Sequence, residues 1–290
     1  MKKLTVLGLP LLTVGLFVAT YIYFYEKVSI VETIDETQPA TLFSSEIIGY
    51  SVSGLPISLF NFGTGERRLL LVGGIHGGYE WNTVALAEEV ITFFKTNYSL
   101  IPDTVTVSII PNLNPDGFLK STGTTSVMAF DPKSVSDAAL RSGRVNANGV
   151  DLNRNFDCAW SETATWQGTA IGAGSSPFSE PEAQALREYV LSETPAAAIF
   201  WHSQAGAVFA ATCDETVSTE NLALLEIYAN ATPYDRFPIF ESYPVTGDAE
   251  SWVTTLGIPA LTVELETRTD PETDTNLNAV LATIQWLANK

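Results

Sequence analysis

Arg68-Leu69-Leu70-Leu71-Val72-Gly73-Gly74-Ile75-His76-Gly77-Gly78-Tyr79-Glu80 joins a continuous apolar run to a glycine-rich turn. A run with no polar alternation suits a strand covered on both faces, read here over 68–74. Past the turn, Val84, Leu86, Val90, Ile91 and Phe94 fit a helical pattern, so a helix is read from about 80 to 94. A strand, a tight turn and a helix in succession form the repeating unit of an α/β sheet, whose ligands bind at the carboxyl ends of the strands.

Outward from this unit the pattern repeats. Strands are read over 46–52, 56–62, 104–110, 196–201, 207–212 and 259–264, and helices over about 219–229 and 276–288. Ser179-Glu180-Pro181-Glu182 reads as the start of another helix, with Ser179 as N-cap and Glu182 completing a capping box. Residues 111–117 are dense in turn formers, and 119–178 is a long irregular segment of the kind that tends to carry function. The fold class expected is α/β with a mixed, mainly parallel sheet.

The whole chain of 290 residues, 46% hydrophobic, suffices for one large core, and it contains no internal repeat. A net charge of −18 offers no basic face, which argues against nucleic-acid binding. Lys2 and Lys3 precede an apolar run over 4–25 that ends in Tyr21, Tyr23, Phe24 and Tyr25. As a helix it would span roughly 33 Å, enough for a bilayer. An uncleaved membrane anchor is favoured over a cleaved signal, because Val18-Ala19-Thr20 is a poor cleavage site. Either places the domain outside the cytoplasm. The layout expected is anchor or signal over 1–25, tether over 26–45 and a single domain over 46–290, acting as a monomer. In an oxidising compartment Cys158 and Cys213 are expected to pair, the alternative being two separate buried thiols.

The chain has two histidines, His76 and His202, each at or just after the carboxyl end of an expected central strand. Catalytic zinc commonly takes two histidines and one carboxylate, leaving a position open for water. His76 and Glu80 lie within a turn of each other, and His202 would complete the set. A lone histidine is more often a hydrogen-bonded structural residue; here the surrounding motifs argue otherwise.

Those motifs resemble the zinc carboxypeptidase family. Gly74-Ile75-His76 followed by Glu80-Trp81-Asn82-Thr83 is similar to its first metal motif, with three residues instead of two between histidine and glutamate, which implies a small bulge before the helix. Asn114-Pro115-Asp116-Gly117-Phe118 resembles the family's turn after a sheet strand. Gly149-Val150-Asp151-Leu152-Asn153-Arg154-Asn155-Phe156, with Arg144 upstream, resembles its longest motif. The resemblance implies a three-layer α/β/α domain and one Zn2+ held by His76, Glu80 and His202. It also implies that Asn153 and Arg154 grip the substrate carboxylate and that Arg144 stabilises the oxyanion. Tyr243, four residues before Gly247 and with Trp252 following, matches the tyrosine that caps the substrate. Thr262-Val263-Glu264-Leu265 matches the strand of the catalytic base, Glu264, with Glu266 a competitor on the same strand face. Glu250, with Asp248 nearby, falls where the family reads the terminal side chain; the alternative is that both acids simply open a short helix.

The activity implied is hydrolysis of a peptide bond next to a free carboxylate. One alternative is a peptidoglycan-type peptidase acting at diaminopimelate. Others are a silent binding module and, more weakly, an amino-acid deacylase.

Overall fold

The computed structural model describes residues 43–290 apart from Glu215. The apolar run over 4–25, and the tether as far as residue 42, lie outside the described residues. Among the described residues no helix is long and apolar enough to cross a membrane.

Strand β1 (Phe43–Tyr50) opens the domain, so the sheet begins inside the segment read as tether. It is followed by β2 (Pro56–Phe62), β3 (Arg67–Val72), α1 (Trp81–Asn97), β4 (Val105–Ile110), α2 (Pro115–Thr122) and α3 (Asp137–Ser142). A small hairpin, β5 (Thr165–Trp166) and β6 (Thr169–Ala170), leads to α4 (Pro181–Glu193), β7 (Ala197–Ser203), β8 (Ala207–Ala210) and α5 (Thr219–Asn230). β9 (Asp235–Phe237), α6 (Ala249–Thr255), β10 (Ala260–Leu265) and α7 (Thr273–Ala288) complete the chain.

The main sheet has eight strands in the order β1-β2-β4-β3-β7-β10-β8-β9. The central neighbours β4, β3, β7 and β10 run parallel, while β1, β2 and β8 supply the antiparallel pairs. The sheet is therefore mixed and mostly parallel, as its unalternated strands imply.

Alternation along each central strand divides the interior in two. Leu69 and Leu71, Val107 and Ile109, Ile199 and Trp201, Leu261 and Val263 face one core, closed by Leu86, Val90 and Phe94 of α1, Leu224 and Tyr228 of α5, and Val280 and Ile284 of α7. Leu70 and Val72, Ile110, Ala198 and Phe200, and Ala260 face the other, closed by Leu186 and Val190 of α4 and Trp252 and Val253 of α6. Each fully buried leucine here contributes about 1.5–3 kcal/mol. Helices on both faces leave the strand ends as the open place for a site.

The capping box expected at Ser179 does not form. Glu180 is the N-cap residue of α4, without a side-chain cap, and Ser179 Oγ donates to Glu180 Oε1. Pro181 at the first turn starts the helix instead, its fixed φ suiting that position. Glu182 is buried and turned aside to accept from Asn146 Nδ2 and from the Val52 amide. The segment read as long and irregular begins within the last turn of α2 and also holds α3, its N-cap Ser136 accepting from the Ala139 amide, with short turns and the β5–β6 hairpin besides.

Cys158 and Cys213 are joined, closing a sequence separation of 55 residues. In the chain-entropy account a loop of that length stabilises the fold by about 4 kcal/mol. Replacing both cysteines by alanine is expected to lower Tm by roughly 10 °C. Two freely alkylated thiols in non-reducing peptide mapping of the native protein would contradict the pairing.

Candidate metal centre

The site sits where β3, β7 and β10 end side by side. After β3 the chain turns through Gly74 and enters one 3-10 turn, Gly77–Glu80, before α1. The extra residue between His76 and Glu80 lies in that turn, which ends at Glu80 in a non-helical conformation (φ −119, ψ 46) just before the helix. Thr83 clasps the turn: its hydroxyl accepts from the Gly74 amide (3.0 Å) and donates to the Glu80 carbonyl (2.8 Å). Gly77 has φ +49, and a Cβ there would meet the Gly143 carbonyl and the Phe118 amide at 2.7 Å. Glycine thus lets the segment leading to Arg144 pack against the turn.

His202 lies next to the end of β7 and pairs in register with Glu264 of the parallel β10. His76 Nδ1 lies 2.9 Å from Glu80 Oε1, His202 Nδ1 is 3.3 Å from His76 Nδ1, and His202 Nδ1 is 3.3 Å from Glu80 Oε2. All three side chains are buried, and their ligand atoms fall within 4.8 Å of one another. Glu80 Oε2 has no hydrogen-bond partner. Burial alone would raise the Glu80 carboxyl, but the two imidazoles hold it well below the usual range. Burial likewise opposes charge on His202, yet Glu80, Glu250 and Glu264 push it up to about 9. The protein's own charges therefore favour a cation at this point, and two histidines with one carboxylate are the donor set of catalytic zinc. The residues fit Zn2+.

Asp151, which sequence reasoning quoted without a role, organises the surroundings. Its Oδ1 lies 3.2 Å from His76 Nε2 and accepts from the Asn153 amide; its Oδ2 accepts from Arg144 Nε at 2.9 Å and sits 2.8 Å from Arg144 Nη2. Burial is outweighed by Arg144 and His76, which hold this carboxyl well below its ordinary value. An ionised Asp151 favours the tautomer that leaves His76 Nδ1 free to bind metal. The signal was available in the sequence: an aspartate inside an otherwise apolar and amide-rich motif flanked by Arg144 and Arg154.

A cavity of about 370 Å³ opens beside the triad. It is lined by His76, Glu80 and His202 together with Arg144, Asn153, Arg154, Tyr243, Asp248, Glu250 and Glu264, so the ligand, substrate and base candidates come to one place while Glu266 does not. Asn153 Oδ1 accepts from the Ala249 amide, and Asn153 Nδ2 donates to Glu250 Oε1 (3.2 Å). Thr262 Oγ1 donates to the same oxygen (2.9 Å), while Glu250 Oε2 is buried without a partner. Asp248 does cap α6, accepting from the Ser251 amide; burial and the nearby Glu250 push it up to about 6. Gly247 has φ +71 and packs on the Arg154 carbonyl, and its backbone bonds to Phe156 and Cys158 fasten the Tyr243 loop to the Asn153–Arg154 turn. Tyr243 is half-buried, its ring edge-on to Phe240 at 4.9 Å.

Burial and the Glu80 charge push the Glu264 carboxyl up to about 7, against His202, His76 and Arg144. Glu266, its competitor, lies beyond the end of β10, exposed and off the cavity lining.

A buried His-Glu-His triad at the carboxyl edge of an α/β sheet, beside a cavity lined by arginines and carboxylates, defines a metallopeptidase-type site. The profile of the zinc carboxypeptidase family, Peptidase M14, matches residues 29–280, and the chain belongs to that family. Among its relatives, the gamma-D-glutamyl-L-diamino acid endopeptidase 1 of Lysinibacillus sphaericus is 27% identical over 77% of this chain, which spans 61% of that longer protein. The murein peptide amidase A of Escherichia coli (strain K12) is 26% identical over 83% of this chain and 90% of its own length. The same fold appears in bovine thrombin-activatable fibrinolysis inhibitor solved with a tick carboxypeptidase inhibitor, with a TM-score of 0.69 at 20% identity, covering 93% of this chain and 96% of that one.

Proposed function

We propose that this zinc peptidase acts as a carboxypeptidase on a terminal residue with a free carboxylate and a cationic side chain, and that its substrate is a peptidoglycan stem peptide ending in diaminopimelate or lysine. The observation that carries this reading is Glu250. One Glu250 oxygen is fixed by Asn153 and Thr262 and lies 3.6 Å from His202 Nε2, while the other is buried in the cavity with no hydrogen-bond partner and is the one open to a cation from the substrate. Arg154, which also lines the cavity, donates from Nε to the Thr165 carbonyl and from Nη1 to the Asn153 carbonyl, which fixes its guanidinium and leaves Nη2 for the carboxylate of the same substrate residue. Two relatives aligned over more than three quarters of this chain are named for murein peptides and for bonds to diamino acids, which present this combination. The apolar run over 4–25, read as an anchor, would hold the domain on the side of the membrane where such peptides occur.

Bound Zn2+ would polarise the scissile carbonyl and lower the pKa of the attacking water. His76, Glu80 and His202 would hold it, with Asp151 orienting His76. Glu264 takes a proton from the water and returns it to the leaving amine. Arg144, held by two contacts to Asp151, places its guanidinium to stabilise the oxyanion. Tyr243 closes over the bound residue, and Asn153 and Arg154 fix its carboxylate, since small misplacements cost much of the rate.

Hydrolysis of peptides ending in diaminopimelate, lysine, arginine, leucine and phenylalanine tests the reading. The cationic ends are expected to be favoured by about ten- to a hundredfold in kcat/KM, a preference lost in Glu250→Gln. A preference for apolar ends that Glu250→Gln leaves unchanged would overturn it.

A further inference from the structure

One arginine in the cavity belongs to no motif described so far. Arg268 follows β10 in the turn over 266–272 and lines the same cavity as the triad. Its guanidinium lies over the Tyr79 ring, 4.3 Å from the centroid, and Tyr79 is buried directly before the metal-site Glu80. Tyr79 is held in turn by an edge-on contact with Trp166 at 5.5 Å.

The turn carrying Arg268 is fixed. Asn82 Nδ2, fully buried, donates to the carbonyls of Thr267 (2.7 Å) and Asp270 (3.0 Å), and Glu272 accepts from the amides of Glu266 and Thr267. Ser203 Oγ, one residue past His202, donates to Asn82 Oδ1, which ties the turn to the metal-site strand. Arg268 Nε is nonetheless buried with no hydrogen-bond partner. In a chain with 33 acidic residues, Arg268 forms no ion pair among the described residues, whereas Arg144 pairs with Asp151. A rigidly mounted, partly desolvated guanidinium without an anion is built to receive one.

Its position says from where. Glu250 bonds Thr262, two residues before Glu264 on β10, and Arg268 emerges past the other end of that strand. The two charges therefore flank Glu264 on opposite sides along the strand. If Glu250, Asn153 and Arg154 receive the leaving residue, Arg268 faces the acyl residue across the scissile bond.

We infer that Arg268, clamped on Tyr79, binds a carboxylate carried by the residue on the acyl side of the scissile bond. An ordinary peptide bond between neutral residues has no such group. An acyl glutamate has one, either as the α-carboxylate of a γ-linked residue or as the side chain of an α-linked one. This rests on the proposed function for the direction in which substrate lies, and the γ-linked case would narrow that function to γ-glutamyl bonds.

The test uses two pairs of peptides on the full-length zinc enzyme. L-Ala-γ-D-Glu-L-Lys is compared with its α-carboxamide, γ-D-isoglutaminyl, counterpart, and Ala-Glu-Lys with Ala-Gln-Lys. In wild type the carboxylate member of the cleaved series is expected to exceed the carboxamide by about ten- to a hundredfold in kcat/KM. That ratio falls toward one in Arg268→Gln and is partly kept in Arg268→Lys. A purely structural role would lower both members together and leave the ratio in place. No carboxylate preference in wild type, or one that Arg268→Gln retains, overturns the assignment in either series. A preference confined to the α-linked pair keeps Arg268 in this role and removes the γ-glutamyl bond as the target, while cleavage of apolar-ended peptides alone refutes the Glu250 reading separately.

Discussion

Glu264→Gln is expected to leave one zinc per chain bound while lowering turnover by about two to four powers of ten. Glutamine preserves the size of the side chain and its place on β10 beside His202, so the ligand triad is undisturbed. It cannot take a proton from water at neutral pH, and that is the step assigned to this residue. The pH profile carries the same information. Burial and Glu80 push Glu264 up to about 7 in the metal-free protein, and a bound divalent cation favours its ionised form, so the working pKa lies lower. A general base must be ionised: activity should fall as pH drops through that value and hold above it, giving an acid limb with its midpoint below pH 7. Near wild-type turnover in Glu264→Gln would move the role elsewhere, although Glu266, exposed and off the cavity, is poorly placed to take it.

His76→Ala and His202→Ala should each reduce tightly bound zinc to less than about a tenth of an equivalent, with activity lost in parallel. Each removes one of three converging ligand atoms. Asp151→Asn is the informative contrast. It keeps all three ligands but weakens the anchor on His76, so metal affinity should fall by about ten- to a hundredfold without stoichiometric zinc being lost at saturating metal. Full zinc retention in either histidine variant, measured by elemental analysis, would show that the metal is held elsewhere.

The central sheet was legible in the sequence because its strands are covered on both faces, which forces long apolar runs such as Leu69–Val72 that no surface element would carry. Element starts were less legible. Ser179 looks like a cap, but whether its hydroxyl reaches the helix depends on Glu180 and Glu182, whose buried partner Asn146 lies in a distant loop. The site residues that bind by their own chemistry could be named from motifs. Those that act by holding others are set by the folded turns: Asp151 reaches His76 from 75 residues away, while its hold on Arg144, that of Thr262 on Glu250 and the Thr83 clasp are closer in sequence but form only once the loops and turns around them are in place. Glu250 and Asp248 show the boundary well. Two acids near a helix start carry one signal, and only the structure separates the cap, Asp248, from the one turned toward Asn153 and Thr262.

The most direct test of a zinc peptidase built on His76, Glu80 and His202 is a titration of the chelator-stripped protein with Zn2+, following hydrolysis of a lysine- or diaminopimelate-ended peptide. Activity is expected to be absent without metal, to rise in proportion to added zinc and to break sharply at one equivalent per chain. Hydrolysis by the stripped protein, or a curve with no break near one equivalent, would contradict the account.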